Sequence, residues 1–239
     1  MIVRYTEKIV NLGKREYTVI VPKDIGGFVN TEYIMDGDRN TFQAIVFSLM
    51  KLIEHKDTII YFPLWKNKVA EIMYERARSR NKEPNRIENF DVVFFSHALQ
   101  FKVHEWKEPR SKLRKIRGKT HKIDFDYDWA LDKVTRLNKK FEKTKIHYKD
   151  IDNFKYHFRF DTHIFVGGVQ SFVRLFMDIS EYLPQNFEIL YKTEPDMFYV
   201  CMPTQCNRKN NYEEPMELGF WDRRYEKEHA EVVKKAWNR

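Results

Sequence analysis

The stretch KIDFDYDW, residues 122–129, alternates apolar and acidic side chains from Ile123 to Asp128. Read as a strand, it sets Asp124, Asp126 and Asp128 on one face about 7 Å apart, with Ile123, Phe125 and Tyr127 on the other. Carboxylates spaced this way suit hard divalent cations such as Mg²⁺, which take oxygen ligands and serve phosphodiester and nucleotidyl-transfer chemistry. Asp124 and Asp126 are therefore the candidate metal ligands. Directly before them runs PRSKLRKIRGKTHK (109–122), which holds seven cations and no Asp or Glu. Arg110, Lys112, Arg114, Lys115, Arg117, Lys119 and Lys122 are the candidate nucleic-acid contacts, forming a loop that would track a phosphate chain. The same residues also have a plain structural reading. Asp128 stands where the next helix needs an N-cap, and Asp124 and Asp126 face water or pair with the preceding lysines. An EF-hand does not fit, because positions six and twelve of such a loop would be Trp129 and Thr135 instead of Gly and Glu.

About 37 residues after the acidic pair, FDTHIF places His163 at the end of a predicted strand. An Asp-x-Asp strand followed by a strand ending in histidine resembles the primase-polymerase arrangement. The resemblance implies that Asp124 and Asp126 hold the metal and that His163 contacts the incoming nucleotide's phosphates. The chain departs from that pattern at Asp161, where the family has a small residue. The third acid has no clear counterpart, Asp178 and Asp196 being the nearest choices.

A rival site lies upstream. FDVVFFSHALQFKVHEWK holds Asp91 and then Glu105 and Lys107 on a second predicted strand. This resembles the core of PD-(D/E)xK nucleases, which implies two carboxylates on Mg²⁺ and a lysine that positions the attacking water. Glu71 or Glu75 on the preceding helix would complete that set. The bland alternative is a same-face ion pair between Glu105 and Lys107 worth a few tenths of a kcal/mol. A third pattern, Gly167-Gly168 opening a helix with Asp178 further on, resembles the start of the polymerase-β-type nucleotidyltransferase motif. There Ser180 stands in place of the second acid, so a glycine turn before a core helix is the better reading.

The remaining chemistry is sparse. The eight histidines do not cluster at zinc-ligand spacing, and Cys201 and Cys206 form no C-x-x-C pair. No Walker A, dinucleotide or nucleophile-elbow motif is present, so no zinc, haem or nucleotide cofactor is expected. The row Phe154, Tyr156, Phe158 and Phe160 reads first as the buried side of a strand, with Lys155 and Arg159 on the wet side. Its alternative use is stacking of unpaired bases.

Across 239 residues, Lys and Arg outnumber Asp and Glu by 43 to 35, a net charge of +8. That balance favours polyanionic partners, DNA or RNA above all. A non-catalytic structural, inhibitor or adaptor protein that binds nucleic acid or a protein partner fits the composition equally well. Usage rich in Lys, Asn, Ile, Phe and Tyr hints at an AT-rich, phage-like source. No run is apolar enough for a membrane span, no signal peptide is legible, and free thiols fit a cytoplasmic setting.

The elements that must carry these residues follow from periodicity. A hairpin is predicted over 1–24, a glycine-rich loop to about 40, and a largely apolar, buried helix over 41–55. Strands at 57–65 and 90–97 flank a helix at 67–80, which predicts a βαβ unit with parallel strands. A strand over 99–107 and the acidic strand come next. They are followed by a helix over 129–143, a strand over 153–166, a helix over 169–183, a hairpin over 186–203 and a polar terminal helix over 221–239. The expectation is one α/β domain over residues 1–239, a mixed sheet with helices on both faces, with α+β as the alternative. A boundary, if there is one, falls near 109–122.

Overall fold

Alternating apolar residues in the first 22 positions build the start of a large mixed sheet. The computed structural model describes residues 1–12, 15–23, 28–29, 34–37, 39–64, 91–99, 103, 106–143, 154–189, 198–201, 204–205 and 217–220. Strand β1 (Ile2–Leu12) turns back as β2 (Arg15–Pro22). Two short strands follow, β3 (Phe28–Val29) and β4 (Ile34–Gly37), within the stretch expected to be loop. Helix α1 (Arg39–Glu54) leads to β5 (Thr58–Phe62), and β6 (Asp91–Ser96) runs into a 3-10 turn at His97–Leu99. Then come α2 (Lys107–Lys115), β7 (Lys119–Asp124) and α3 (Tyr127–Lys143). Strands β8 (Phe154–Phe158) and β9 (Thr162–Gly167) precede α4 (Val169–Ile189). Three short strands close the described chain: β10 (Phe198–Cys201), β11 (Thr204–Gln205) and β12 (Glu217–Phe220).

Eight strands form the main sheet in the order β11-β8-β9-β6-β5-β2-β1-β7, and β10-β12-β4-β3 form a smaller one. The fold is α/β with a mixed sheet, as expected, but its crossover uses different strands. β5 and β6 pair antiparallel, not parallel. The βαβ unit is instead β2–α1–β5, with Thr18 beside Thr58 and Ile20 beside Ile60 in parallel register. The predicted helix at 67–80 and the terminal helix at 221–239 lie outside the described residues.

Two further expectations are corrected. Of the strand expected over 99–107, the described ends are not extended: Leu99 closes the 3-10 turn and Lys107 opens the first turn of α2. Pro109 lies in that first helical turn, where its missing N–H removes no hydrogen bond. The acidic stretch is not one strand either. Strand β7 ends at Asp124, and the helix begins at Tyr127.

The sheet separates two cores. On one face, Val3, Tyr5, Ile20, Ile60, Phe62, Phe94 and Phe165 meet α1, α3 and α4. Helix α1 is buried almost all round, from Ala44 to Leu52, because α4 packs on its outer side. Its one buried hydroxyl, on Ser48, donates back to the Ala44 carbonyl at 2.6 Å, so no polar atom is stranded. Phe154 meets Phe94 and Phe165 edge-on and Phe172 at a tilt, and each fully buried phenylalanine is worth roughly 1.5–3 kcal/mol. On the other face, Val10, Tyr17, Val19, Val21 and Tyr61 pack against Trp106 and Leu113 at α2. Helices thus cover both faces.

Gly118 joins α2 to β7 where there is no room for a side chain. A Cβ there would meet the Glu7 carbonyl oxygen and lie 2.5 Å from Thr6 Cγ2. Because the first obstacle is backbone, Gly118→Ala must push β7 away from β1. The expected loss is about 1–3 kcal/mol, read as a lower urea midpoint. An unchanged midpoint would show that this junction is looser than its geometry.

Candidate functional site

The acidic stretch is a strand-to-helix turn, and that decides where its carboxylates go. Asp126 is the residue that caps α3: its Oδ1 accepts the Trp129 amide at 3.0 Å. Asp128, the expected cap, sits in the first helical turn and is exposed. Asp124 ends β7 with its side chain 80% exposed, and accepts the Met1 ammonium at 2.9 Å. Between them Phe125 is buried, and its amide donates to the Met1 carbonyl at 2.6 Å. Asp124 and Asp126 therefore do not share a strand face. Among the described residues, no group of three or more His, Cys, Asp or Glu side chains is placed to hold a metal ion.

The rival acid is deeply engaged. Asp91 is fully buried at the start of β6, where Oδ2 accepts the Tyr61 hydroxyl at 2.7 Å and Arg110 Nε at 2.8 Å. Burial first, then the Asp91 charge, pushes the Tyr61 phenol well above its ordinary range. Arg110 reaches Asp91 from α2 and also donates to the Phe160 carbonyl oxygen. Its Nη1 lies 3.7 Å from Asp161 Oδ2. With its side chain only 13% exposed, Arg110 is turned inward, unlike the other cations of the basic run. Lys107 is the exposed first residue of α2, and Glu105 lies outside the described residues.

Arg110 fastens a hairpin turn whose backbone is unusual. Phe160 and Asp161 have φ values of 55° and 52°, the left-handed region that bulky residues avoid. Arg159 and Thr162 exchange backbone hydrogen bonds of 3.1 Å around them, the pattern of a two-residue hairpin with both central residues at positive φ. The expected continuous strand over 153–166 is thus two strands and a tight turn. The predicted aromatic face holds partly: Phe154 is core, Tyr156 and Phe158 are half-buried, and Phe160 sits at the turn.

His163 lies inside. It is wholly inaccessible on β9, with Nδ1 2.8 Å from the Tyr156 hydroxyl and the Phe158 ring 4.9 Å away. Desolvation lowers its pKa to about 3, so it is neutral at pH 7. The structure brings His163 and Asp91 onto neighbouring strands, since Val92 pairs with His163. It does not bring His163 to an exposed phosphate site.

The basic run is a helix and an edge strand, not a loop. Lys112 pairs with Glu108 at 2.6 Å and also reaches the Asn11 carbonyl oxygen at 3.2 Å. Lys112, Arg114 and Lys115 occupy the last turn of α2, where cations complement the helix dipole. Arg117, Lys119 and Lys122 are exposed beyond it. Lys119 stands opposite Glu7, an ordinary cross-strand match of charges. Lys122 stands opposite Arg4, which is not. On the other side of Arg4, the Lys23 amide donates to the Arg4 carbonyl at 2.8 Å, so Lys23 just past the end of β2, Arg4 on β1 and Lys122 on β7 form one row. All three are exposed. Lys8 on the same alternation of β1 donates to the Leu113 carbonyl at 2.6 Å, which places this row on the α2 face of the sheet. Neither Arg4 nor Lys23 stands out in the sequence, because the row exists only once three strands are in register.

Comparison with protein-family models, with curated proteins and with solved structures finds no match to this chain.

Two outcomes follow from the buried groups. Arg110→Met removes the cation paired with the buried Asp91 carboxylate, and about 3–5 kcal/mol of stability should be lost in a denaturant titration. Asp91→Asn combined with Arg110→Met should lose less than the sum of the two single changes, and strict additivity would refute the coupling. For His163, the folded pKa of about 3 lies below the unfolded value near 6.5. The unfolded chain then binds the extra proton between those values. This contribution is complete above about pH 6.5 and is lost as pH falls toward 3, at up to about 1.4 kcal/mol per unit. His163→Leu should show a correspondingly shallower decline over that window.

Proposed function

We propose that the chain binds nucleic acid through the α2 face of its β1–β7 sheet edge. The observation that carries this reading is the row Lys23–Arg4–Lys122. Like charges directly opposite one another repel, and this row gathers three exposed cations onto one face, where a polyanion would relieve the repulsion. Three strands about 4.8 Å apart spread the row over roughly 10 Å, close to three steps of a nucleic-acid strand at 3.4 Å rise each. Lys115 and Arg117 lie near the row in sequence, and both are exposed. Contacts of this kind position a backbone and carry no base sequence. The net charge of +8 supports the same reading at long range. Among the described residues no helix is long and apolar enough to cross a membrane.

Fluorescence anisotropy with a labelled oligonucleotide of about 30 nucleotides tests it at about 50 mM salt. Lys23→Glu plus Lys122→Glu should weaken binding by at least tenfold and flatten the dependence of affinity on salt. Chelation of divalent ions should leave affinity unchanged. Both residues are exposed, so the variant should fold. No binding by the unaltered chain at this salt, or equal binding by the variant, would overturn the reading and point to a protein partner.

A further inference from the structure

We infer that α3 carries a stacking platform for an unpaired base, so that the nucleic acid bound is single-stranded. This rests on the nucleic-acid reading above and adds a second surface, on the face of the sheet opposite α2, and a substrate class to it. Trp129 is one of the few large apolar side chains left open among the described residues, at 47% exposure. It is also held in place. Its amide is capped by Asp126 at 3.0 Å, and Lys133 Nζ sits 4.8 Å from the ring centroid. The same Nζ is anchored to Glu54 Oε1 on α1 at 2.7 Å. One face of the indole is thus steadied by a cation tied to a second helix, which limits the entropy lost when a ligand meets the ring.

From Trp129 the helix carries a line of cations. Lys133, Arg136, Lys140 and Lys143 recur at spacings of three and four, which places all of them on the face that Trp129 occupies. Lys139 flanks them. Arg136, Lys139, Lys140 and Lys143 line a surface concavity of about 420 Å³. Arg136 pairs with Asp132 one turn back, while Lys139, Lys140 and Lys143 make no ion pair among the described residues. From Trp129 to Lys140 is about 16 Å along the axis. A backbone lying on these cations would bring a base to the indole at the helix start. In a duplex the base faces are occupied by neighbouring pairs, so an exposed ring gains nothing there; a splayed base has a free face.

The test compares oligothymidylate with a duplex of equal length, by anisotropy at about 50 mM salt. Trp129→Ala should weaken oligothymidylate binding by roughly 5- to 100-fold and leave duplex affinity within about twofold. Trp129→Phe should restore most of the loss and confirms that the fold is intact. Lys140→Glu plus Lys143→Glu should weaken binding of the single strand. If the unaltered chain binds nucleic acid and loses affinity with Lys23→Glu plus Lys122→Glu, yet Trp129→Ala binds both ligands like the parent, this inference fails while the nucleic-acid reading stands. If the unaltered chain binds neither ligand, both fail together.

Discussion

Arg110 ties together parts of the chain that are far apart in sequence. It leaves α2 on one face of the sheet and meets Asp91 at the buried start of β6. It also takes up the carbonyl of Phe160 at the β8–β9 turn. Three elements are fastened at one guanidinium, and Tyr61 supplies a further hydrogen bond to the same carboxylate oxygen. Removing an ion pair's partner in such a place is expensive because the charge left behind has no water to turn to. The turn it holds is strained at Phe160, and a strained turn persists only where its surroundings over-determine it. That anchorage holds the β8–β9 turn against the start of β6, the strand beside which β9 packs Phe165 on Phe94.

With the central strands held, the edge at β7 is free to be polar. Its side chains alternate between exposed and half-covered positions, and lysines protect it from pairing with other chains. His121 stacks on Tyr5 at 4.9 Å and ties the strand to the core face, while Lys122 joins Arg4 and Lys23 on the other. The strand therefore has an adhesive side and a charged side. The charged side is the α2 face, where the helix's own C-terminal cations gather.

The acidic stretch shows how one sequence pattern serves two backbones. Three aspartates at every second position look like one strand face. The chain instead ends its strand at Asp124, buries Phe125 and caps α3 with Asp126. The helix wins because Ala130, Leu131, Val134, Leu137 and Phe141 recur with its period and meet the core. A strand continued through Tyr127 would leave that stripe without its first turn. The same competition decides the start of α2, where the alternation of Val103, Glu105 and Lys107 favours a strand but Lys107 opens a helix. Trp106 is buried under Tyr61, and the helix it precedes puts Leu113 into the same core.

Composition and local periodicity by themselves determined the class of fold, the first hairpin, the burial of α1, the core role of Phe154 and the surplus of positive charge. These are properties of short segments, set by which side chains avoid water and how often they recur. Tertiary structure alone decided that β5 and β6 run antiparallel, that Asp91 is spent on Tyr61 and Arg110, and that His163 is sealed from solvent. It also decided that Lys23, Arg4 and Lys122 stand in one row. Each of these depends on the register between strands distant in sequence, and no local pattern encodes a register. It is set when whole faces are buried together, since a slip of one residue would turn every core side chain toward water.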